Sequence, residues 1–303
     1  MAHTKIEGEA VSSALCSSLH ELRTVGNSGK YFLPRLNSLK EANPKLKLLD
    51  VGCGWGHMTA SLAKAVGPEG HVVGLDINED TLALAPEVAK RADVADQVEF
   101  IHGDAYKLPF PDATFDMVHC HQVLCHMEKP WDAICEMARV TKPGGIVAIR
   151  EGDLDSEIVW PQEPGLAKFH KLIATAMNAR GRGGGGADSG RQLLPWTLNA
   201  GLKRSQITVS YGTWWFDTPE DKDRWGMLEI PFLESLILLK VTNFFLAKAM
   251  AAQVRGGMVG EIAKKTGLAS GNDLEEMASA WEDWATREDS SLAMIHGEVV
   301  IEK

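Results

Sequence analysis

The residues best placed for chemistry are carboxylates that follow short apolar runs. Asp50 ends the first such run, and Gly52, Gly54 and Gly56 come after it at every second position. Glycine tolerates the backbone conformations of a sharp strand-to-helix turn and leaves the backbone bare enough for a ligand to lie against it. Asp76 ends the next run, where an acidic residue can accept hydrogen bonds from two ribose hydroxyls. This spacing predicts a site for a nucleotide-containing ligand.

Three ligands compete for this glycine loop. A nucleoside triphosphate would need a Gly-Lys-Ser or Gly-Lys-Thr ending, which this loop lacks. A dinucleotide favours G-x-G-x-x-G, whereas the chain has G-x-G-x-G. Asp104 follows the third apolar run, where its carboxylate can accept a bond from an adenine amino group while Ala105 leaves room for the ring. S-adenosylmethionine fits these features best, and an NAD-linked oxidoreductase is the weaker alternative.

Asp50 and Asp76 could also have purely structural roles. Burying Asp50 costs free energy unless a cation or a donor offsets the charge, and the ammonium group of an amino-acid moiety would do so. Alternatively, Asp50 caps the helix that follows the glycines. Asp76 could likewise be an ordinary turn carboxylate. The sequence leaves these alternatives open.

Histidines after the fourth apolar run are candidates for acid–base catalysis. Imidazole titrates near neutral pH, so His121 or His126 could take a proton from a methyl acceptor; alternatively His121 lines the cofactor site and His126 caps a loop. Glu151, after the fifth run, lies where an acceptor would bind, although carboxylates there are often ordinary surface residues. No metal is expected, because strand residues alternate faces and Cys120 is therefore opposite its histidine neighbours.

The composition is that of a globular protein with a small-molecule ligand. The 303 residues are 45% hydrophobic and 24% charged, and the net charge of −10 with no basic stripe argues against a nucleic-acid substrate. Five cysteines without a CxxC pair suit a reducing compartment, and residues 1–7 lack an apolar segment, so we expect a cytoplasmic protein. The apolar stretch 227–252 contains too many charges for a membrane span and suits a lid or a homodimer contact.

The alternation of apolar runs and amphipathic helices predicts an α/β fold. Such an order implies right-handed βαβ crossovers and a mostly parallel sheet covered on both faces. The predicted strands, about seven, are 46–51, 71–76, 98–102, 114–120, 146–150, 205–211 and 292–301. We expect an N-terminal helical cover over 1–45 and a single domain over 46–303. Its cofactor-binding half would be 46–150 and its substrate-binding half 151–303.

The second half of the chain is less regular. Residues 181–186 contain four consecutive glycines and are expected to be too flexible for a fixed element; 26–29 is expected to be a turn. A helical insertion is predicted at about 220–287. It would place aromatic side chains in the core or, for some of them, in an apolar acceptor pocket: Trp214, Trp215, Trp225, Phe232, Phe244 and Phe245.

Taken together, these motifs resemble the class I S-adenosylmethionine-dependent methyltransferases. The matching segments are Asp50 to Gly56, Asp76, Gly103-Asp104-Ala105, Leu108-Pro109-Phe110, Phe115-Asp116, His121 to Leu124 and Arg139 to Gly145. Within that class the chain is similar to the ubiquinone/menaquinone-biosynthesis type and to fungal small-molecule methyltransferases such as the gliotoxin bis-thiomethyltransferase. The resemblance covers about residues 24–150. Weaker signals at Gly190-Arg191-Gln192-Leu193 and His296-Gly297-Glu298 extend it.

The resemblance implies a Rossmann-like sheet and specific roles for residues. Gly52 and Gly54 would lie along the methionine moiety, with Asp50 reaching its amino group through water. The remaining cofactor-binding candidates are Tyr31 for the carboxylate, Cys53 in the glycine loop, Asp76 for the ribose, Ile77 and Ala105 against the adenine, Asp104 for its amino group, and His121 with Gln122 beside the sulfonium. His121, His126 and Glu151 are the catalytic candidates.

The expected activity is methyl transfer to an O, S or N atom of a small, aromatic or thiol-bearing specialised metabolite. The alternative is a protein of the same fold that binds the cofactor without transferring methyl, as a regulatory module or a catalyst of a sulfonium-assisted rearrangement. Two departures from the family pattern are the indole of Trp55 in the glycine loop and the four-glycine insert.

Overall fold

The structure is a computed structural model, and it describes residues 23–181, 184–216, 250–252 and 254–303. The first 22 residues of the expected N-terminal helical cover and the first part of the predicted helical insertion lie outside the described residues. So do Trp225, Phe232, Phe244 and Phe245.

The described elements follow the predicted alternation of strands and helices. Strands run over β1 Lys47–Val51, β2 His71–Asp76, β3 Val98–His102, β4 Phe115–His121, β5 Thr141–Trp160, β6 Ile207–Phe216 and β7 Ser291–Glu302. Helices run over α1 Val25–Ser28, α2 Leu33–Ala42, α3 His57–Val66, α4 Glu79–Leu82, α5 Ala85–Arg91, α6 Pro130–Val140, α7 Pro164–Gly181, α8 Ser189–Asn199, α9 Met258–Thr266 and α10 Gly271–Thr286. Short 3₁₀ turns occupy Ala95–Gln97, Leu124–His126 and Arg204–Gln206.

The seven strands form one sheet in the order β3-β2-β1-β4-β5-β7-β6. The pairings of β1 with β2 and β4, of β2 with β3 and of β4 with β5 are parallel. The predicted Rossmann-like, mostly parallel sheet is therefore confirmed. Because strand order reverses beside β1, the carboxyl ends of β1 and β4 form the position where such sheets bind ligands.

Alternate residues of the inner strands enter two different hydrophobic clusters. Leu49 and Val118 belong to one cluster, whereas Leu48 and Met117 belong to the other. A strand buried on both faces reads as a continuous apolar run, which is the pattern seen in the sequence. The sheet is therefore covered on both sides, and its strand ends are held firmly in register.

Two compact units can be separated by their internal contacts. The sheet unit contains Arg23–Asp155, Met177–Thr213 and Ile295–Lys303. The helical unit contains the described residues of Ser156–Ala176 and Trp214–Met294, with a core built around Phe169, Trp281 and Trp284. Trp214 packs against this core. Among the described residues, no helix is long and apolar enough to cross a membrane.

Several predicted boundaries were wrong for identifiable reasons. The expected turn at 26–29 is the short helix α1, because Thr24 and Asn27 form a reciprocal capping box at its start. The fifth strand runs over Thr141–Trp160, well beyond the predicted 146–150. After β2 the chain forms two short helices, α4 and α5.

The glycine run was also misjudged. Gly184, Gly185 and Gly186 are buried, and the Gly185 N–H donates to the Met127 carbonyl at 2.7 Å. A Cβ at Gly184 would overlap the carbonyl oxygen of Glu128. These glycines allow two backbones to approach closely, so this stretch is fixed where flexibility was expected.

Candidate active site

The three glycines of the β1–α3 loop have separate structural roles. All three have positive φ, 70° at Gly52, 54° at Gly54 and 82° at Gly56. A Cβ at Gly52 would overlap Val123 Cγ2, and one at Gly56 would lie 2.7 Å from Phe100 Cζ, whereas Gly54 has nothing within 4 Å. The backbone is therefore closely packed on both sides of one open position. That open position can accept a ligand against the main chain.

Cys53 lies within this loop, and its thiol donates a hydrogen bond to the Gly54 carbonyl, with Sγ 3.7 Å from the oxygen. The Cys53 N–H donates to the Leu75 carbonyl at 3.0 Å, and its side chain is buried near Gly74.

Asp50 is buried at the end of β1 and is held within the protein. Its Oδ2 accepts a hydrogen bond from the Thr59 hydroxyl at 2.6 Å, and its Oδ1 lies 2.7 Å from His119 Nδ1. These two partners offset the cost of burying a carboxylate, which the sequence had assigned to a ligand ammonium group. From the sequence, neither Thr59 nor His119 was identified as a partner of Asp50.

Asp76 joins the end of β2 to the glycine loop. Its Oδ2 accepts the Gly54 N–H at 2.8 Å, and its Oδ1 accepts the Asn78 N–H at 2.9 Å. The carboxylate thus fixes the open glycine while remaining partly accessible. The next side chain, Ile77, is 65% exposed, which is unusual for isoleucine and leaves an apolar surface at the strand end.

Asp104 and Ala105 follow β3 at the same edge of the sheet. Asp104 is exposed, and its Oδ1 accepts the Tyr106 N–H at 2.9 Å. Ala105 is half-buried and packs against a core cluster. The Asp104 carboxylate is therefore oriented by a hydrogen bond within its own turn, and its solvent-facing lone pairs can still accept hydrogen bonds.

Tyr31, between α1 and α2, carries a buried hydroxyl. This hydroxyl has no hydrogen-bond partner among the residues that the structure describes. Burial raises the pKa of Tyr31 well above its ordinary value, so the phenol stays neutral and can donate. Burying a hydroxyl donor without an acceptor costs free energy, and the carboxylate of a ligand would supply that acceptor.

His121 is the last residue of β4 and is buried, and the partly buried Gln122 follows it at the start of the next loop. Burial lowers the pKa of His121 well below its ordinary value, and nearby Arg23 and His119 lower it further, so the ring is neutral at pH 7. Gln122 has φ of 54°; its Oε1 accepts from Arg23, and its Nε2 donates to His296 Nε2 at 3.2 Å. His126 is exposed at the end of the following 3₁₀ turn.

Glu151 is fully buried, in contrast to an ordinary surface carboxylate. Its Oε1 accepts the N–H groups of Val123 and Leu124 at 2.9 and 2.8 Å. Burial raises its pKa to about 7, although these amide bonds partly oppose the shift. Glu151 therefore reaches the loop after β4 instead of an open surface.

A backbone crossing between α8 and β7 brings together residues that are far apart in sequence. A Cβ at Gly297 would overlap the Gly190 carbonyl, so neither residue tolerates a side chain. Beside this crossing, Arg191 makes a bidentate bond to Asp153, with both distances 2.6 Å. The weak sequence signals at 190–193 and 296–298 are explained by this close approach.

The same crossing places a buried ion pair near Tyr31. Arg150 on β5 pairs with Glu298 on β7, and Ser210 on β6 donates to Glu298 Oε2 at 2.9 Å. Arg150, Arg23, His296 and Glu298 were not identified from the sequence as members of the site. The weak signal at 296–298 contains His296 and Glu298, but it indicated no partner for either residue.

Comparison with known proteins agrees with this geometry. The family model described as a methyltransferase domain matches residues 49–149. A Schizosaccharomyces pombe protein named as an uncharacterized methyltransferase is 32% identical over 270 residues, covering 88% of this chain and 87% of that protein. The chain is a class I S-adenosylmethionine-dependent methyltransferase.

Other similarities cover a smaller part of the chain. A demethylmenaquinone methyltransferase of Bacillus cytotoxicus is 43% identical over 113 residues, which is 37% of this chain and 47% of that enzyme. A solved structure of an S-adenosylmethionine-dependent methyltransferase from Aquifex aeolicus is 24% identical, covers 57% of this chain and 79% of that one, and has a TM-score of 0.41, too low to support a conclusion.

The residues present in the methyltransferase fit S-adenosylmethionine. An open backbone at Gly54, an exposed apolar side chain at Ile77 and a buried hydroxyl at Tyr31 are the surroundings that an amino acid joined to a nucleoside requires. Among the described residues, no group of three or more His, Cys, Asp or Glu side chains could hold a metal ion.

Proposed function

We propose that this methyltransferase transfers the methyl group of S-adenosylmethionine to an O, S or N atom of a small acceptor. The observation that carries the proposal is the open, positive-φ backbone at Gly54, bonded to the Asp76 carboxylate. In the proposed arrangement the methionine moiety lies along Gly52 and Gly54. The ribose then reaches Asp76, which already points at the same loop.

The remaining contacts follow from positions at the same edge of the sheet. Ile77 and Ala105 would face the adenine, and Asp104 would accept a bond from its amino group. The Tyr31 hydroxyl would donate to the carboxylate of the methionine moiety. Asp50, already bonded to Thr59 and His119, has carboxylate lone pairs left for a water that bridges to the amino group.

S-adenosylmethionine supplies an electrophilic methyl group when bound. His121 and Gln122 lie at the end of β4, next to the loop that would hold the cofactor. Because His121 is neutral at pH 7, it adds no like charge beside a sulfonium. Its lowered pKa also makes it a weak base. The chain therefore contributes mainly by orienting the acceptor and excluding water, with proton removal secondary.

The acceptor is proposed to be an aromatic or thiol-bearing metabolite. This rests on the resemblance of the motifs to small-molecule methyltransferases and on the net charge of −10, which disfavours polyanionic substrates. A radiolabelled methyl-transfer assay on phenols, thiols and amines tests it. Label transfer to at least one class is expected, and tight cofactor binding without turnover on any acceptor would contradict methyl transfer.

A matched pair of glycine variants tests the cofactor position. Gly54→Ala and Gly144→Ala both place alanine at positive φ with nothing within 4 Å, so each should lose about 1 kcal/mol of stability. Only Gly54→Ala should weaken binding of S-adenosylhomocysteine, by about a hundredfold, because its methyl group occupies the ligand's place. Calorimetric titration measures the affinities. Equal affinities for the two variants would exclude the proposed position.

A further inference from the structure

The loop that follows β4 rests directly on the glycine loop. We define the β4 loop as residues 122–128. Within it, the Val123 side chain occupies the space that a Cβ at Gly52 would need. Since Gly52 is part of the proposed cofactor position, a displacement of Val123 would disturb the backbone on which the ligand lies.

The Glu151 carboxylate bonds to the backbone of the first part of the β4 loop. Its Oε1 accepts bonds from two consecutive amides, Val123 N and Leu124 N, at 2.9 and 2.8 Å. Two amides converging on one oxygen are best satisfied by a full negative charge, because hydrogen bonds to an ionised acceptor are about twice as strong as neutral ones. The state of this carboxyl group therefore affects how firmly the loop is held.

The far side of the β4 loop makes backbone contacts with the glycine run. The Gly185 N–H donates to the Met127 carbonyl at 2.7 Å, and a Cβ at Gly185 would overlap the Leu124 carbonyl. These contacts do not titrate. Glu151 is thus the ionisable group that bonds to the backbone of the loop at Val123 and Leu124.

Several charged or ionisable groups face Glu151 from the elements around it. They are Arg23 before α1, Tyr31 before α2, Cys120 on β4 and Cys125 in the β4 loop. Burial raises the pKa of Tyr31, Cys120 and Cys125, so these groups stay neutral near pH 7. Burial lowers the pKa of Arg23 only to about 10, so this guanidinium stays charged. Between pH 6 and 8, Glu151 is therefore the group in this set that changes charge.

We propose that Glu151 is a positioning residue whose ionised carboxylate holds the β4 loop against the glycine loop, so that cofactor binds more tightly to the ionised than to the protonated form. This inference rests on the proposed function, because it takes the cofactor to lie along Gly52 and Gly54. It differs from the catalytic role that the sequence suggested for Glu151. A buried carboxyl group that bonds to backbone amides is suited to holding a loop.

The sign of the pH dependence follows from linkage. The pKa of Glu151 is about 7, so lowering the pH from 8.5 to 5.5 protonates it. The amides of Val123 and Leu124 then face a weaker acceptor. The affinity for S-adenosylhomocysteine is expected to fall about tenfold over this range, as when charge-assisted bonds become neutral.

The direct test follows the two amides by NMR in the ¹⁵N-labelled full chain. The Val123 and Leu124 amide protons should shift together with one midpoint near pH 7, because both donate to the same titrating oxygen. The shift should vanish in Glu151→Gln. Glu136→Gln is the matched control, since Glu136 Oε2 also accepts a backbone amide, Leu108 N at 2.9 Å, but in another loop. Amides that do not move in the wild type would overturn the proposal.

Calorimetry with S-adenosylhomocysteine provides the second readout. Glu151→Gln keeps an acceptor oxygen and should bind with an affinity that no longer changes between pH 5.5 and 8.5. Glu151→Ala removes the acceptor and should bind more than tenfold more weakly than the wild type at pH 8. The wild-type measurement needs no variant to fold, so it decides the question even if Glu151→Ala is unstable.

The outcomes separate this inference from the proposed function. A wild type that binds S-adenosylhomocysteine with equal affinity at all pH values, without movement of the two amides, contradicts the role of Glu151 alone. A wild type that binds no S-adenosylhomocysteine at any pH contradicts the proposed function and this inference together. Binding that weakens on acidification, with both amides titrating, supports both.

Discussion

Two regions of the sheet unit hold their functional groups in opposite ways. One is the glycine-loop edge, which comprises 50–57, Asp76 and Asp104. The other is a buried polar cluster of Arg150, Glu151, His296 and Glu298. At the glycine-loop edge, carboxylates such as Asp76 and Asp104 accept bonds from backbone amides and keep an accessible side. In the polar cluster, Arg150 and Glu298 are buried against each other. The first region is the one that we propose to bind the cofactor. The second depends on each partner being present, since removing one leaves a buried charge.

This difference also concerns backbone geometry. The glycine loop needs glycine mainly for its positive φ, whereas the polar cluster needs glycine at the α8–β7 crossing for space. A local turn can be read from neighbouring residues. The α8–β7 crossing cannot be predicted in this way, because Gly190 and Gly297 are more than a hundred residues apart in the sequence.

The largest expected effect is at this crossing. Gly297→Val should destabilise the protein by more than about 3 kcal/mol, because a side chain would overlap the Gly190 carbonyl and push apart backbones that cannot repack. Denaturation in urea measures the loss. Gly271→Ala is the control, since nothing lies within 4 Å of its Cβ position; it should be neutral or slightly stabilising. Similar stabilities for both variants would show that the crossing is not rigid.

The two regions should respond to acid with opposite signs. Burial lowers the pKa of His57, at the start of α3, to about 4, with nearby Arg91 adding to the effect. The unfolded chain therefore binds more protons below pH 6.5, and the native state should lose up to about 2 kcal/mol by pH 5. Glu151 has the opposite effect on stability. Because its pKa is raised to about 7, the native state binds more protons than the unfolded chain as the pH falls from about 7 toward 4.5, and the native state is stabilised.

Urea denaturation at pH 5 and 7.5 separates these contributions. His57→Gln should reduce the loss of stability on acidification, and Glu151→Gln should increase it. His71→Gln is the control, because its side chain is 41% exposed. If both test variants changed the pH dependence in the same direction, the two regions would not differ in the way described.

The smallest expected effects are at the accessible carboxylates. Asp76→Asn should weaken S-adenosylhomocysteine binding about tenfold, because it alters both the proposed ribose contact and the bond to Gly54. Asp104→Asn should weaken it only about threefold, since this side chain is exposed. Asp132→Asn, exposed on α6, should have no effect. Calorimetry checks all three, and a larger loss at Asp104 than at Asp76 would reverse the proposed importance of the two contacts.

Sequence reasoning reached the glycine-loop edge because its determinants are local. Each of Asp50, Asp76 and Asp104 follows its own strand, and parallel strands place such residues at one edge of the sheet. Local reasoning failed where a cap or a close approach dominated. Thr24 caps a glycine-containing stretch that forms helix α1, and Gly184 and Gly185 pack closely against the β4 loop.

The sequence by itself therefore determined the sheet, the glycine loop and the class of cofactor, since strand periodicity and turn chemistry act over a few residues. Only the tertiary structure decided that His119 and Thr59 hold Asp50, that Gln122 joins Arg23 to His296, and that Glu151 supports the β4 loop. Those contacts join side chains whose positions depend on how separate elements pack. No spacing along the chain specifies which buried donor meets which acceptor.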